Sequence, residues 1–247
     1  MDELYDIHIH LIYGVDDGPR TKEESVEMLK QAAKEGIRTI IATPHKRYGM
    51  FEYDLETMEK HFAELKPVAE EMGIDLLLGC EYHACSDMVE DIKNKRVHTM
   101  ADTDYVLCEF SYSTKEKEMT DAVYSLVANG YKPIIAHAER YGAIQRNPDI
   151  CTGLRNKGAF VQVNSDGVIG EEERQIRKAV KYLLKNDLVD VVGSDAHGIS
   201  FRKSSLAKAY DYVIKKYDEG YAEKIFKKIP REIAVKAVEV ERKESNE

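Results

Sequence analysis

Short apolar runs alternate along the chain with longer stretches in which apolar residues recur every three or four positions. This is the pattern of strands followed by crossover helices in a parallel sheet. The strand-like runs are Tyr5 to Ile12, Arg38 to Thr43, Asp75 to Gly79, Tyr105 to Glu109, Pro133 to His137, Phe160 to Val163 and Val189 to Gly193. Between them, Thr21-Lys-Glu-Glu24 has the form of a capping box, so a helix is expected from there to about Gly36. Further helices are expected over Leu55 to Met72, with Gly73 as terminator, over Glu116 to Ala128, from Asn147-Pro148 onward and over Glu171 to Lys185. The remainder reads as helical, ending in a polar tail at Glu239 to Glu247. Seven strand–helix units predict an α/β fold closed or nearly closed into a TIM-like barrel, although an open doubly wound sheet has the same local pattern. Either architecture builds its sites at the C-terminal ends of the strands.

Those ends carry a recurrent chemistry. His8 and His10 lie two apart on a strand, so side-chain alternation aims both at one face. Asp17 follows in the next loop, strand two ends at His45, strand three at Glu81, strand four at Glu109, strand five at His137 and strand seven at Asp195, with His197 just beyond. Five of the eight histidines occupy these positions, which decides against ordinary core histidines; His61, His83 and His98 are assigned to surface or core. Histidine and carboxylate without thiolate suit Mn²⁺, Fe²⁺ or Zn²⁺. Nine candidate ligands exceed the needs of one cation, and carboxylates packed this closely would otherwise repel and take up protons, so two or three metals are expected. Such a cluster would lower the pKa of water enough to give hydroxide near neutral pH.

Arg140, three residues after His137, and Arg202, in the loop after His197, are placed to face an anion at the metals with planar, paired donors. The segment His45-Lys-Arg-Tyr-Gly-Met-Phe51 sets two cations and two aromatics directly after a candidate ligand, suited to a phosphorylated aromatic side chain. Other hydrolytic chemistries lack their residues. No Arg lies six positions after a Cys, and neither a Gly-x-Ser-x-Gly elbow nor a Walker A loop occurs.

Composition narrows the class further. A chain of 247 residues, 43% hydrophobic and 33% charged, can bury one sizeable core. The net charge of −9 argues against nucleic acid as partner, because phosphate-backbone affinity needs clustered Lys and Arg. No apolar run reaches the roughly 18 residues of a membrane span and no signal-peptide pattern opens the chain, so a cytoplasmic protein is expected. Cys80, Cys85, Cys108 and Cys151 show no Cys-x-x-Cys spacing and read as reduced thiols.

The ordered set Asp6-Ile-His8-Ile-His10, Val15-Asp-Asp17-Gly-Pro19, Thr43-Pro-His45, Glu81, Glu109-Phe-Ser111, Ala136-His137-Ala-Glu-Arg140 and Ser194-Asp195-Ala-His197 resembles the PHP superfamily of metallophosphoesterases. Within it, residues from about 5 to 235 are similar to the bacterial tyrosine phosphatases encoded with capsule or exopolysaccharide genes. The resemblance implies a distorted (β/α)7 barrel, here residues 1–238 followed by the tail 239–247, holding three metals, often manganese. It implies action on phosphotyrosine of a partner tyrosine kinase that controls polysaccharide assembly. By matching position, His8, His10, Glu81 and Asp195 would hold one metal, and Glu81, Glu109 and His137 a second. Asp17, His45 and His197 would hold a third, with Arg140 and Arg202 at the phosphate. Gly198-Ile-Ser-Phe-Arg202 departs from the Gly-Arg-Pro context of some members. The alternatives are a PHP phosphatase of a small metabolite such as histidinol phosphate, a more distant amidohydrolase, which expects a modified lysine where this chain has Glu109, and a catalytically idle metal-binding kinase adaptor.

Overall fold

In the computed structural model, which describes residues 3–235, every strand pairing between named strands is parallel. The strands are β1 (Leu4–Ile9), β2 (Ile37–Ala42), β3 (His45–Lys46), β4 (Asp75–Leu78), β5 (Glu81–His83), β6 (Tyr105–Glu109), β7 (Lys132–Ile135), β8 (Phe160–Asn164) and β9 (Val191–Gly193). They form a three-stranded sheet, β1-β2-β4, and a six-stranded sheet, β3-β5-β6-β7-β8-β9. Parallel strands need crossovers that cover their faces, and the strands are accordingly apolar on both sides, as in the Ile37–Ala42 run IRTIIA.

Two of the seven expected strands are each split in two. The second jogs at Thr43-Pro44, where Thr43 turns its N–H to the Ile9 carbonyl (2.9 Å) and its hydroxyl to the Ile9 N–H (3.0 Å). The third jogs at Gly79-Cys80, where the Gly79 N–H still reaches the Ala42 carbonyl (2.8 Å). A Cβ at Gly79 would lie 2.9 Å from Ile41 and 3.0 Å from Met100, so the close approach that makes this jog requires glycine. Past the jogs, β3 and β5 pair in register, His45 opposite Glu81. The tail 239–247 lies outside the described residues.

At the other edge, β9 runs on into contact with β1. Asp195 donates its N–H to the His8 carbonyl (2.7 Å), His10 donates to the Ala196 carbonyl (2.9 Å), and Ile9 and Ala196 form a parallel bridge. The sheet is therefore curled. Inside the curl, Ile7, Ile41, Leu77, Leu107, Ile134 and Val191 pack with Met100, Ala136 and Ile233 into a small apolar plug. The larger core lies between the sheet and the helices, which include Lys22–Lys34, Leu55–Glu71, Glu116–Ala128 and Arg174–Lys185. The first of these starts at Thr21 as expected, but Glu24 accepts the Arg20 N–H (2.6 Å), not that of Thr21. The helix expected from Asn147-Pro148 is the short Ile150–Arg155, preceded by Gly142–Arg146. Because all strands point one way, their C-terminal ends meet on a single side of the molecule.

Candidate metal centre

All nine residues expected as ligands meet there, and Glu81 is central. One oxygen of its fully buried carboxylate lies 3.2 Å from His8 Nε2, 3.2 Å from His10 Nε2 and 3.0 Å from His45 Nδ1, while the other lies 2.8 Å from His137 Nε2. Burial raises a carboxyl pKa, but His8, His45, His10 and His137 outweigh it and hold Glu81 well below the usual range. Asp195 lies with Oδ1 3.5 Å from both His8 Nε2 and His10 Nε2. Asp17 reaches His197 at 3.2 Å and His45 at 3.5 Å, and Glu109 lies 3.9 Å from both His45 and His137. Burial and the neighbouring His10 push His197 down to about 4, leaving a neutral imidazole competent as a ligand.

Three sets of donor atoms each fall within 4.8 Å of one another: His8, His10, Glu81 and Asp195; His10, Asp17, His45 and His197; and His45, Glu81 and Glu109. The first coincides with an expected set, the second adds His10 to one, and the third holds His45 where His137 was expected. Within these sets, His8 Nε2, His10 Nε2, His45 Nδ1, His197 Nε2 and Glu81 Oε2 are buried and make no hydrogen bond among the described residues. Each such atom would cost about 1–3 kcal/mol if left unpaired, so five in one cluster fit a site for divalent cations.

Arg140 and Arg202 both reach this cluster by way of Asp195. Arg140 donates to Asp195 Oδ2 (2.7 Å) and to Glu172 (3.0 Å); Arg202 donates to Asp17 (3.1 Å) and to Asp195 (3.3 Å). His137, Asp195 and Arg202 adopt left-handed backbone conformations, with φ of 31°, 52° and 50°. Such conformations are uncommon for residues other than glycine and cluster at functional sites. In the segment after His45, Phe51 stacks on the His45 ring with centroids 4.9 Å apart, and Lys46 lies over Tyr48 and Tyr53.

Several residues that the sequence reading left out touch the candidate ligands. Asp16 accepts the His10 Nδ1 proton (2.7 Å) and the His45 N–H (2.9 Å). Its only sequence signal is its place beside Asp17. His83, assigned above to surface or core, instead meets Glu109 at 3.0 Å and Ser111 at 3.3 Å. His61 and His98 bond elsewhere, to the Tyr13 carbonyl and to Glu59. Gln162 and Asn164 on β8 bond to His8 and Asp195. Glu139, fully buried, accepts the Asn164 N–H (2.8 Å), and burial pushes its carboxyl up to about 7.

A curled parallel sheet with histidines and carboxylates converging at its strand ends defines an α/β protein with side-chain clusters able to hold metals. The chain belongs to the capsular polysaccharide synthesis family CpsB/CapC, whose model matches residues 4–235. It is 35% identical over 237 residues to the tyrosine-protein phosphatase CpsB of Streptococcus pneumoniae, covering 93% of this chain and 98% of that one. It is 31% identical over 215 residues to the tyrosine-protein phosphatase YwqE of Bacillus subtilis, covering 86% and 84%. A crystal structure from work on YwqE and CpsB, described as metal-dependent tyrosine phosphatases, superposes with a TM-score of 0.82 at 28% identity, covering 95% of this chain and 92% of that one. No helix among the described residues is long and apolar enough to cross a membrane.

Proposed function

We propose that this protein is a metal-dependent protein-tyrosine phosphatase that hydrolyses phosphotyrosine on a protein, in the setting of capsular or exopolysaccharide synthesis. The observation that carries the reading is the set of five buried, unpaired ligand atoms facing one another at the strand ends. The CpsB and YwqE relatives, tyrosine-protein phosphatases both, supply the substrate class. The finer assignments keep the ligand sets that the resemblance implies, with the 2.8 Å approach of His137 to Glu81 in support of the second. His8, His10, Glu81 and Asp195 hold one metal; Glu81 with Glu109 and His137 holds a second; Asp17, His45 and His197 hold a third. Three Mn²⁺ ions suit this donor set, with Fe²⁺ or Zn²⁺ as substitutes. The two sheets are read as one distorted (β/α)7 barrel of residues 1–238, opened at the jogs. This reading is supported by the bridge between Ile9 and Ala196. A bacterial tyrosine kinase as protein substrate and a cytoplasmic location complete the proposal.

When bound, divalent cations make water acidic enough to provide hydroxide near neutral pH and neutralise phosphoryl charge. The chain's own residues supply the rest. Arg140 and Arg202, both anchored on Asp195, present permanently cationic forks beside the cluster and bind phosphoryl oxygens as charge builds on them. Phe51 and Tyr48, on the segment after His45, provide aromatic surface for the substrate ring. A phenol leaving group, with pKa about 10, needs less protonation than an alcohol, so no dedicated acid is assigned.

The test is turnover of a phosphotyrosine peptide against histidinol phosphate, with Mn²⁺ present. Preference for the peptide is expected. Preference for histidinol phosphate would replace the reading with a metabolite phosphatase, and absence of turnover on both, and on p-nitrophenyl phosphate, would replace it with an adaptor.

A further inference from the structure

Of the seven strands expected from the sequence, the one that forms β8 alone delivers no candidate ligand. Its outward residues Val161 and Val163 join the main core, whereas alternation turns Phe160, Gln162 and Asn164 inward. Gln162 is fully buried and Asn164 almost so, at the centre of the site rather than at a surface. Buried amides are costly unless every polar atom is used, and here they are used in one direction.

The direction follows from a single backbone donor. The His137 N–H lies 2.7 Å from one terminal atom of the Gln162 amide, so that atom must be the oxygen. The same oxygen lies 3.0 Å from His8 Nδ1. An amide oxygen has no proton to give, so His8 Nδ1 must carry the hydrogen, and the lone pair of the neutral ring is placed on Nε2, the atom facing Glu81 and Asp195. The Gln162 nitrogen then donates to Asn164 Oδ1 (2.8 Å), which makes the other Asn164 atom the nitrogen, and that nitrogen donates to Asp195 Oδ2 (2.8 Å). With Oδ2 occupied by Asn164 and Arg140, Asp195 turns Oδ1 toward His8 and His10. The Asn164 backbone is itself fixed by Glu139. Gly193 leaves room for the chain: a Cβ there would lie 3.2 Å from the Gln162 nitrogen.

We propose that Gln162 and Asn164 are positioning residues of the metal centre, a hydrogen-bond relay that fixes the His8 tautomer at one end and the ligating oxygen of Asp195 at the other. The inference rests on the metal-site reading above. Hydrogen-bond partners behind metal ligands orient them and raise their basicity, and their loss typically costs 10- to 100-fold in metal affinity.

The test uses the full chain, with Mn²⁺ affinity measured by competition with a chelating dye. The ring nitrogens of His8 are followed by NMR in metal-free protein at alkaline pH, where the imidazole is neutral. Gln162→Leu is expected to weaken Mn²⁺ by about 10- to 100-fold and to convert His8 from one tautomer to a mixture. Asn164→Ala, which leaves the Gln162 contact to His8 intact, is expected to weaken Mn²⁺ while the tautomer stays as in wild type. Positioning of the two ligands by these two amides produces that split; general loosening of the site would move both readouts together. Folded variants that bind Mn²⁺ within about threefold of wild type would overturn the proposal, as would an unchanged His8 tautomer in Gln162→Leu. Should Gln162→Leu fail to fold, wild-type affinity in Asn164→Ala would overturn it alone. If wild type itself takes up no divalent cation, the metal-site reading falls, and the tautomer comparison still decides whether Gln162 sets the ring.

Discussion

Arg140 is the side chain whose contacts most constrain its role. Desolvation works against a buried guanidinium, but the surrounding carboxylates Asp195, Glu139 and Glu172 raise its pKa further still, so it stays charged at any working pH. Its two bonds go to the outer oxygen of Asp195 and to Glu172, leaving the Asp195 oxygen that faces the histidines untouched. At saturating Mn²⁺, where loss of its bond to Asp195 does not limit metal occupancy, Arg140→Ala is expected to lower kcat/KM by about 100- to 1,000-fold, about 3–4 kcal/mol, as for loss of a preorganised partner of transition-state charge. Arg140→Lys should recover little, because a lysine keeps the charge but cannot span Asp195 and Glu172 with one planar group. Metal analysis and p-nitrophenyl phosphate kinetics on the three proteins check this. An alanine variant within about threefold of wild type would reduce Arg140 to a structural ion pair.

At the scale of elements, the site depends on how closely β9 and β1 approach. Gly193, the last residue of β9, would place a Cβ 2.7 Å from His8 Cβ, inside the contact that real atoms tolerate. Gly193→Ala is expected to destabilise the fold by about 1–3 kcal/mol through overpacking, measured by denaturant unfolding. Gly153, on the short helix Ile150–Arg155, has no atom within 4 Å of its would-be Cβ, and Gly153→Ala should be neutral or stabilising. Equal effects from the two would show that space at the β1–β9 junction is not limiting. The same junction shows what the sequence discloses and what it hides. His8, His10, His45, Glu81 and Asp195 could be read as a set because ligating side chains recur at strand ends, a local signal repeated around the sheet. The jogs at Thr43-Pro44 and Gly79-Cys80 could not, since they follow from contacts to Ile9, Ile41 and Met100 across the sheet. Gln162 and Asn164 stayed hidden because neutral amides carry no ligand signature, and their meaning lies in residues 154 and 31 positions away in sequence. Asp16 was masked by Asp17, an identical side chain one residue on that faces a different histidine.

For the whole molecule, the decisive property is that its most charged region is also among its most buried. Glu81 and Asp195 are buried, with Asp17 exposed beside them, in a chain that already carries a net charge of −9. Cations binding there stabilise the native state alone, by about 2.7 kcal/mol at a free concentration of 100 Kd. For a chain of this size each kcal/mol moves the unfolding midpoint by about 2–4 °C. Chelation should therefore abolish turnover and lower the midpoint by several degrees, and Mn²⁺ should restore both. Thiol chemistry should do neither. Cys80, Cys108 and Cys151 are buried, and burial raises all three thiols, Cys80 and Cys151 to about 12, so they are not thiolates at neutral pH. Cys85 alone is exposed. Iodoacetamide should label one site by mass spectrometry and leave kcat unchanged, because no cysteine has an arginine placed to form a phosphocysteine pocket. Full turnover after verified metal removal, or loss of turnover that tracks alkylation of Cys85, would move the chemistry away from the strand ends.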